Sequence, residues 1–226
     1  SFAVPMVAGT AALVKQVNPN FTPGQVKSAV VNTASETVYD LDANGNQVLA
    51  GIASVGAGKL DAGAAVQSQV TIEPATLSFG LISGSLPSIN LTLSNFSNHK
   101  LTLNLSVSPF FSDPKAQVVF SSNSVTLGAN QATTIQATLQ GNLPSPGIYE
   151  GDVLVNSTDN SVALHVPYLY LVGDGNPVDA YPLRGDDFAD AAGNPVNGDL
   201  RVKVVDQYGA PGTGYPVLFR DTIGGG

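Results

Sequence analysis

The sequence contains no cysteine. Disulfides, thiolate metal sites and a cysteine nucleophile are therefore excluded. Cations are scarce: nine lysines and arginines stand against seventeen acids, for a net charge of -8. Nucleic-acid binding needs clustered cations to displace counterions from phosphates, and no such cluster exists, so no nucleic-acid partner is expected. The same scarcity argues against an anionic membrane surface. No apolar run is long enough to cross a bilayer, so no membrane span is expected. Charged residues make up only 12% of the chain, while Ser, Thr, Asn and Gly abound. That polar but uncharged surface fits an extracellular β-protein better than a cytosolic enzyme. An initiator methionine is missing as well. The chain opens on Ser1 and closes on Gly224, Gly225 and Gly226, and it is read as a segment of a longer protein.

Composition shifts twice along the chain. Residues 1–69 are rich in Ala, Val and Gly, residues 70–172 alternate apolar residues with Ser, Thr and Asn, and residues 173–226 are rich in Asp, Gly and Pro. Phe2 to Val14 is apolar on every helical face, so this helix is expected to be buried on all sides at the centre of a larger domain. Thr22-Pro23-Gly24-Gln25 reads as a capping box with proline at the first helical position. Val26, Ala29 and Val30 then supply one helical stripe. Asp40 to Gly45 reads as a turn, Gln47 to Ile52 as a short strand, and the residues after Asp61 as an Ala-rich helix to Val66.

From residue 70 the period changes to two. Leu91 and Leu93, then Leu101, Leu103, Leu105 and Val107, then Ile135, Ala137 and Leu139, then Tyr149, Gly151, Val153 and Val155 alternate with smaller or polar residues. Each run predicts a strand with one buried and one wet face. Their number and spacing predict a mainly β chain built around an antiparallel β-sandwich. Two further strands are expected near Leu200–Val205 and Tyr215–Arg220, too few to bury a core of their own.

Residues Ser1-Phe2-Ala3-Val4-Pro5-Met6-Val7-Ala8-Gly9 resemble the nucleophile motif of the subtilisin-like serine proteases (subtilases). Ser1, Ala3, Pro5, Val7, Ala8 and Gly9 match at the right spacing, and Met6 stands where the family commonly has a histidine outside the triad. Three further stretches fall in the family's order: Asn18 to Lys27 at the next helix start, Thr33-Ala34-Ser35 at its end, and Gly56 to Ala62 at the close of the catalytic domain. The resemblance implies that Ser1 is the catalytic nucleophile. It also implies that the general-base His, the orienting Asp and an oxyanion Asn lie upstream, that the substrate is a protein or peptide, and that this chain alone is inactive. Under it, residues 1–69 form the helical C-terminal part of an α/β subtilase domain whose upstream part is their partner. Residues 70–172 resemble the fibronectin-III-like or immunoglobulin-like sandwich that follows many such domains. Residues 173–226 resemble part of a bacterial immunoglobulin-like module, and the whole is expected outside the cell or on its envelope.

Other chemistries weigh less. An N-terminal serine can use its own α-amine as base, but those hydrolases need a layered α/β scaffold that an all-apolar helix does not supply. His99 and His165, the only two histidines, lie in sandwich strands or turns without a base motif and are read as structural. No cofactor is expected; calcium is the one ligand left open. Asp40 to Gly45 matches the opening of an EF-hand loop, but its twelfth position is Gly51, so a hairpin turn is expected instead. The acids of residues 174–190 are read as solvated turns in preference to a calcium site. Tyr168 and Tyr170 are read as packing residues. The sequons at Asn20, Asn90, Asn95, Asn104 and Asn156 carry no claim of glycosylation. The competing function is a non-catalytic adhesion protein built of sandwich modules.

Overall fold

The computed structural model describes residues 1–184 apart from 112 and 114, together with residues 199 and 201–218. The chain opens on helix α1 (Ala3–Val17) and turns into α2 (Pro23–Val31). At the start of α2 the Gln25 backbone N–H donates to the Thr22 hydroxyl at 3.2 Å, and the Thr22 N–H donates to Gln25 Oε1 at 2.9 Å. The capping box thus satisfies two orphan donors reciprocally. Strands β1 (Tyr39–Leu41) and β2 (Gln47–Leu49) then pair as a hairpin, with Gly45 at φ +80° in its tip. The strand expected to reach Ile52 stops at Leu49, because the next residues wind into a short helix, α3 (Ile52–Val55). Helix α4 (Ala62–Gln67) follows, capped by the Asp61 carboxylate, which accepts from the Ala64 N–H at 2.9 Å. Val14, Phe21, Ala29 and Ala65 form the small core among α1, α2 and α4.

Nine strands make the sandwich: β3 (Val70–Glu73), β4 (Leu77–Leu81), β5 (Ser88–Asn95), β6 (Leu101–Pro109), β7 (Ala116–Phe120), β8 (Ser124–Leu127), β9 (Ala132–Gly141), β10 (Gly147–Ser157) and β11 (Ala163–Val172). One sheet runs β3-β5-β9-β7, the other β4-β11-β10-β6-β8. The ladders are antiparallel except for β4, which lies parallel to β11. The fold class is mainly β with antiparallel sheets, as the period-two pattern implies. Leucines and valines of both inner faces, such as Leu77, Leu91, Leu93, Leu103, Val153 and Val166, fill the space between the sheets. Tyr149, at the start of β10, donates its hydroxyl to the Ser145 carbonyl at 2.7 Å, the corner bond typical of immunoglobulin-like sandwiches. Its ring stacks on Tyr170 at 4.8 Å, and Phe79 meets Tyr170 edge-on at 6.5 Å.

This aromatic cluster makes stability sensitive to alkali. Burial first, then the neighbouring Tyr149 and Asp113, pushes the Tyr170 phenol up to about 12. Burial raises Tyr168 in the same direction. An unfolded tyrosine ionises near pH 10, so the contribution is complete below about pH 10 and is lost as pH rises through the folded value. Urea unfolding at about pH 9 and pH 11.5 is expected to show a smaller loss in Tyr170→Phe than in the unchanged chain.

After β11, strands β12 (Asp179–Arg184) and β13 (Arg201–Val205) pair antiparallel. Strand β13 lies where a strand is expected near Leu200–Val205; Leu200 is outside the described residues. The strand expected over Tyr215–Arg220 does not form across residues 215–218, and Phe219 and Arg220 lie outside the described residues. The turn after β13 is organised by buried Asp206, whose carboxylate accepts from the Tyr208 and Ala210 N–H groups at 2.9 Å and from the Asp174 N–H at 2.8 Å. A side chain in this position holds a tight turn without a ligand.

The helices are fastened to the sandwich by a buried polar network. Ser28 Oγ donates to Asn32 Oδ1 at 2.7 Å and accepts from the Ile72 N–H at 2.7 Å. Asn32 Nδ2 donates at 2.8 Å to the carbonyls of Ala75 and His165, and its own carbonyl accepts from the His165 N–H at 3.1 Å. Strand β4 begins pairing with β11 only at Tyr168, so Asn32 takes over the ladder on the exposed edge at His165. Ser28 does the same for β3. Unpaired edges are thereby covered rather than left open to solvent or another chain.

Candidate functional site

Among the described residues, two places gather chemistry: the head of α1, and the seam where the segment after α2 meets β10 and β11. Ser1 is exposed and stands one residue before the helix N-cap, which is Phe2. Ser1 is therefore not itself the cap. Pro5 falls in the first turn, where its missing N–H costs no helical bond. Further along, the Thr10 hydroxyl donates to the Met6 carbonyl at 2.9 Å, and Lys15 Nζ closes the far end on the Pro19 and Phe21 carbonyls at 2.7 and 2.6 Å.

Only one face of α1 is covered. Thr10 and Val14 point into the small core, whereas Phe2 is 93% exposed, and Val4, Met6, Leu13 and Val17 are exposed too. Burial on all sides was expected only within a larger domain, and this chain by itself covers a single face of the helix. Helices α2 and α4 are the elements packed against α1, and together they reach only its inner side.

The seam is buried on both faces of the sheet. Glu150 and Asp152 alternate along β10 with the core residues Gly151 and Val153. His165 pairs with Leu154 and Pro167 with Asp152, which makes Asp152 and His165 diagonal neighbours on the outer face. That face was expected to be wet. Instead α3 packs on β10 and β11. Gly51 permits the close approach: a Cβ there would lie 2.1 Å from Glu150 Oε1. Glu150 Oε2 accepts the Ala53 N–H at 3.0 Å, at the head of α3. Glu36, from the loop after α2, completes the group, with His165 Nδ1 3.4 Å from Glu36 Oε1 and His165 Nε2 3.0 Å from the Ala57 carbonyl. Burial, then the charges of Glu36 and Glu150, pushes the Asp152 carboxyl up to about 7. Burial pulls the His165 ring down, against Glu36 and the Ala57 carbonyl.

Glu36 and Asp152 were not singled out from the sequence. The available hint was the pair of acids at alternate positions of a strand otherwise rich in valine. His99 lies elsewhere, its Nδ1 3.2 Å from Asn98 Oδ1. Asp42, in the EF-hand-like turn, accepts from the Asn44 and Asn46 N–H groups at 2.9 and 2.8 Å and from Asn46 Nδ2 at 3.1 Å. These bonds hold its carboxyl below the usual range. Of the acids at 174–190, Asp174 is engaged by the Asn176 N–H and Gln207 Nε2, Asp179 accepts from the Ala180 N–H, and Asp186, Asp187 and Asp190 lie outside the described residues. No described helix is long and apolar enough to cross a membrane.

Fold and helices together define a class: an immunoglobulin-like sandwich carrying a short helical segment. Residues 1–58 match the model of the Subtilase family of peptidases. The N-terminal segment is thus similar to subtilases. Over 34 residues the chain is 59% identical to the subtilisin-like protease SBT1.9 of Arabidopsis thaliana, a stretch that covers 15% of this chain and 5% of that relative. Among solved structures, a PapD-like domain of human CEP192 aligns at 19% identity and TM-score 0.38, over 46% of this chain and 84% of that one. The secreted serine protease VesC of Vibrio cholerae aligns at 17% identity and TM-score 0.34, over 44% of this chain and 22% of that one. The periplasmic chaperone SfaE aligns at 14% identity and TM-score 0.36, over 63% and 95%.

Proposed function

We propose that the chain is the C-terminal part of a secreted subtilisin-like serine endopeptidase, with Ser1 as its nucleophile. In this reading residues 1–69 close the catalytic domain, residues 70–172 form the sandwich that follows it, and residues 173–226 begin a further immunoglobulin-like module. The upstream part of the catalytic domain covers the exposed apolar face of α1 and supplies the missing groups. Ser1 Oγ attacks the carbonyl carbon of a peptide bond while an upstream His takes its proton. The tetrahedral intermediate collapses to an acyl-enzyme as the same His returns that proton to the departing amine. Water, deprotonated by the His, then releases the acid and restores Ser1. Orphan N–H groups at the head of α1 and the positive end of its dipole favour the oxyanion. This chemistry uses no cofactor.

The observation that supports the reading is the placement of Ser1 at the head of an apolar helix within the stretch matched by the family model. In this reading the base for Ser1 comes from upstream, and the chain alone is expected to be inactive. Hydrolysis of an unfolded protein by the full-length enzyme, before and after Ser1→Ala, tests the reading. Loss of cleavage with the fold retained is expected. Cleavage that survives leaves a non-catalytic adhesion protein of sandwich modules as the better account.

A further inference from the structure

At the seam between the helices and the sandwich, atoms of Glu36, Asp152 and His165 that can accept hydrogen bonds face one another. The Ala57 carbonyl can only accept, so His165 Nε2, 3.0 Å away, carries the ring proton of the neutral imidazole. His165 Nδ1 then holds a lone pair, and it faces Glu36 Oε1 at 3.4 Å. Glu36 Oε1 and Asp152 Oδ1 are both buried atoms with no hydrogen-bond partner among the described residues. Asp152 itself is only 3% exposed. The ligand atoms of Glu36, Asp152 and His165 all lie within 4.8 Å of one another. Buried acceptors pointed at one another repel unless a proton or a metal cation sits between them.

We propose that Glu36, Asp152 and His165 bind a divalent first-row transition ion of the Zn²⁺ class, which pins the segment after α2 to strands β10 and β11. One imidazole and two carboxylates suit such an ion, whereas Ca²⁺ and Mg²⁺ take oxygen ligands. Two ligands held about 2.1 Å from a tetrahedral ion stand about 3.4 Å apart, which is the separation of His165 Nδ1 and Glu36 Oε1. The Ala57 carbonyl fixes the His165 tautomer as outer-shell carbonyls do for metal-bound histidines. A cavity of about 10 Å³ lined by Glu36, Ala57, Phe110 and Asp152 adjoins the group, enough for one small occupant. The Glu36 side chain, 40% exposed, gives the ion a way in. The charge also fits: Glu36, Glu150 and Asp152 bring three carboxylates to a seam with one imidazole, and a divalent ion offsets two of them. None of this depends on the role of Ser1.

The test adds ZnCl₂ or CoCl₂ to the full chain at neutral pH. One equivalent of ion is expected to bind, Co²⁺ to develop visible d–d absorption, and Zn²⁺ to raise the unfolding temperature with concentration. Glu36→Gln alters a half-exposed side chain and keeps the fold; it is expected to weaken binding by at least about tenfold. Asp152→Asn removes a buried charge at constant shape and is expected to do the same, while His99→Ala leaves binding unchanged. Circular dichroism confirms that each variant is folded. Absence of uptake by the unchanged chain, showing that protons alone satisfy these groups, overturns the proposal. So does uptake that folded Glu36→Gln and Asp152→Asn both leave intact, which places the ion elsewhere.

Discussion

Asn32→Asp is expected to destabilise the chain by about 3–5 kcal/mol, the range for a buried charge left without a partner. Asn32 is 1% exposed, and both hydrogens of its amide are committed to the carbonyls of Ala75 and His165. A carboxylate of the same shape has no hydrogen to give. It turns two attractive contacts into two repulsive ones at 2.8 Å. Only the bond from Ser28 Oγ survives, and it satisfies one oxygen. Asn32→Ala removes the same donors without adding charge and is expected to cost less, about 1–3 kcal/mol. Because Asn32 joins the end of α2 to β11 and to the start of β4, the damage falls on the seam. The sandwich retains its own core. Urea unfolding followed by tyrosine fluorescence is expected to show the helical segment separating at lower denaturant than the sandwich in Asn32→Asp. Equal costs for Asp and Ala would show that the two carbonyls are not held by the amide.

Ser1→Ala in the full-length enzyme is expected to lower kcat by on the order of 10⁴–10⁶-fold with little change in KM. Such a split follows from the role of the hydroxyl. In the proposed mechanism Ser1 Oγ forms the bond that defines the acyl-enzyme but contributes little to holding the bound substrate, so its loss raises the barrier and spares binding. The residual rate comes from groups that stabilise the oxyanion and align a water molecule. Replacement of an exposed serine outside the helix leaves α1 unchanged, so unfolding curves for the two proteins are expected to superpose.

Local rules carried far along this chain. Thr22, Pro23 and Gln25 predict the start of α2 because a capping box is satisfied within four residues and needs no tertiary partner. Period-two leucines and valines predict the sandwich strands because a sheet alternates its faces whatever lies beyond. What the alternation cannot disclose is whether the outward face meets water or another segment. Glu150 and Asp152 were expected on a wet face and lie buried beside His165, because residues distant in sequence fold across it. The same blindness applies to Asn32. Nothing in its surroundings marks it as the residue that extends a β-ladder past the end of β4, since that role depends on where β4 stops pairing. The parallel pairing of β4 with β11 is likewise a matter of topology, not of residue preference. Ser1 is the opposite case. Its neighbours in sequence suggest its chemistry, but the proposed reaction needs partners that no spacing within this chain supplies.

The most direct measurement maps covalent labelling by a fluorophosphonate serine probe with peptide mass spectrometry, on the full-length enzyme and on this chain alone. Labelling is predicted on the Ser1 hydroxyl of the full-length enzyme and nowhere on the chain alone. Strong labelling of Ser1 in the chain alone, or labelling of a different serine in the full-length enzyme, would contradict the account.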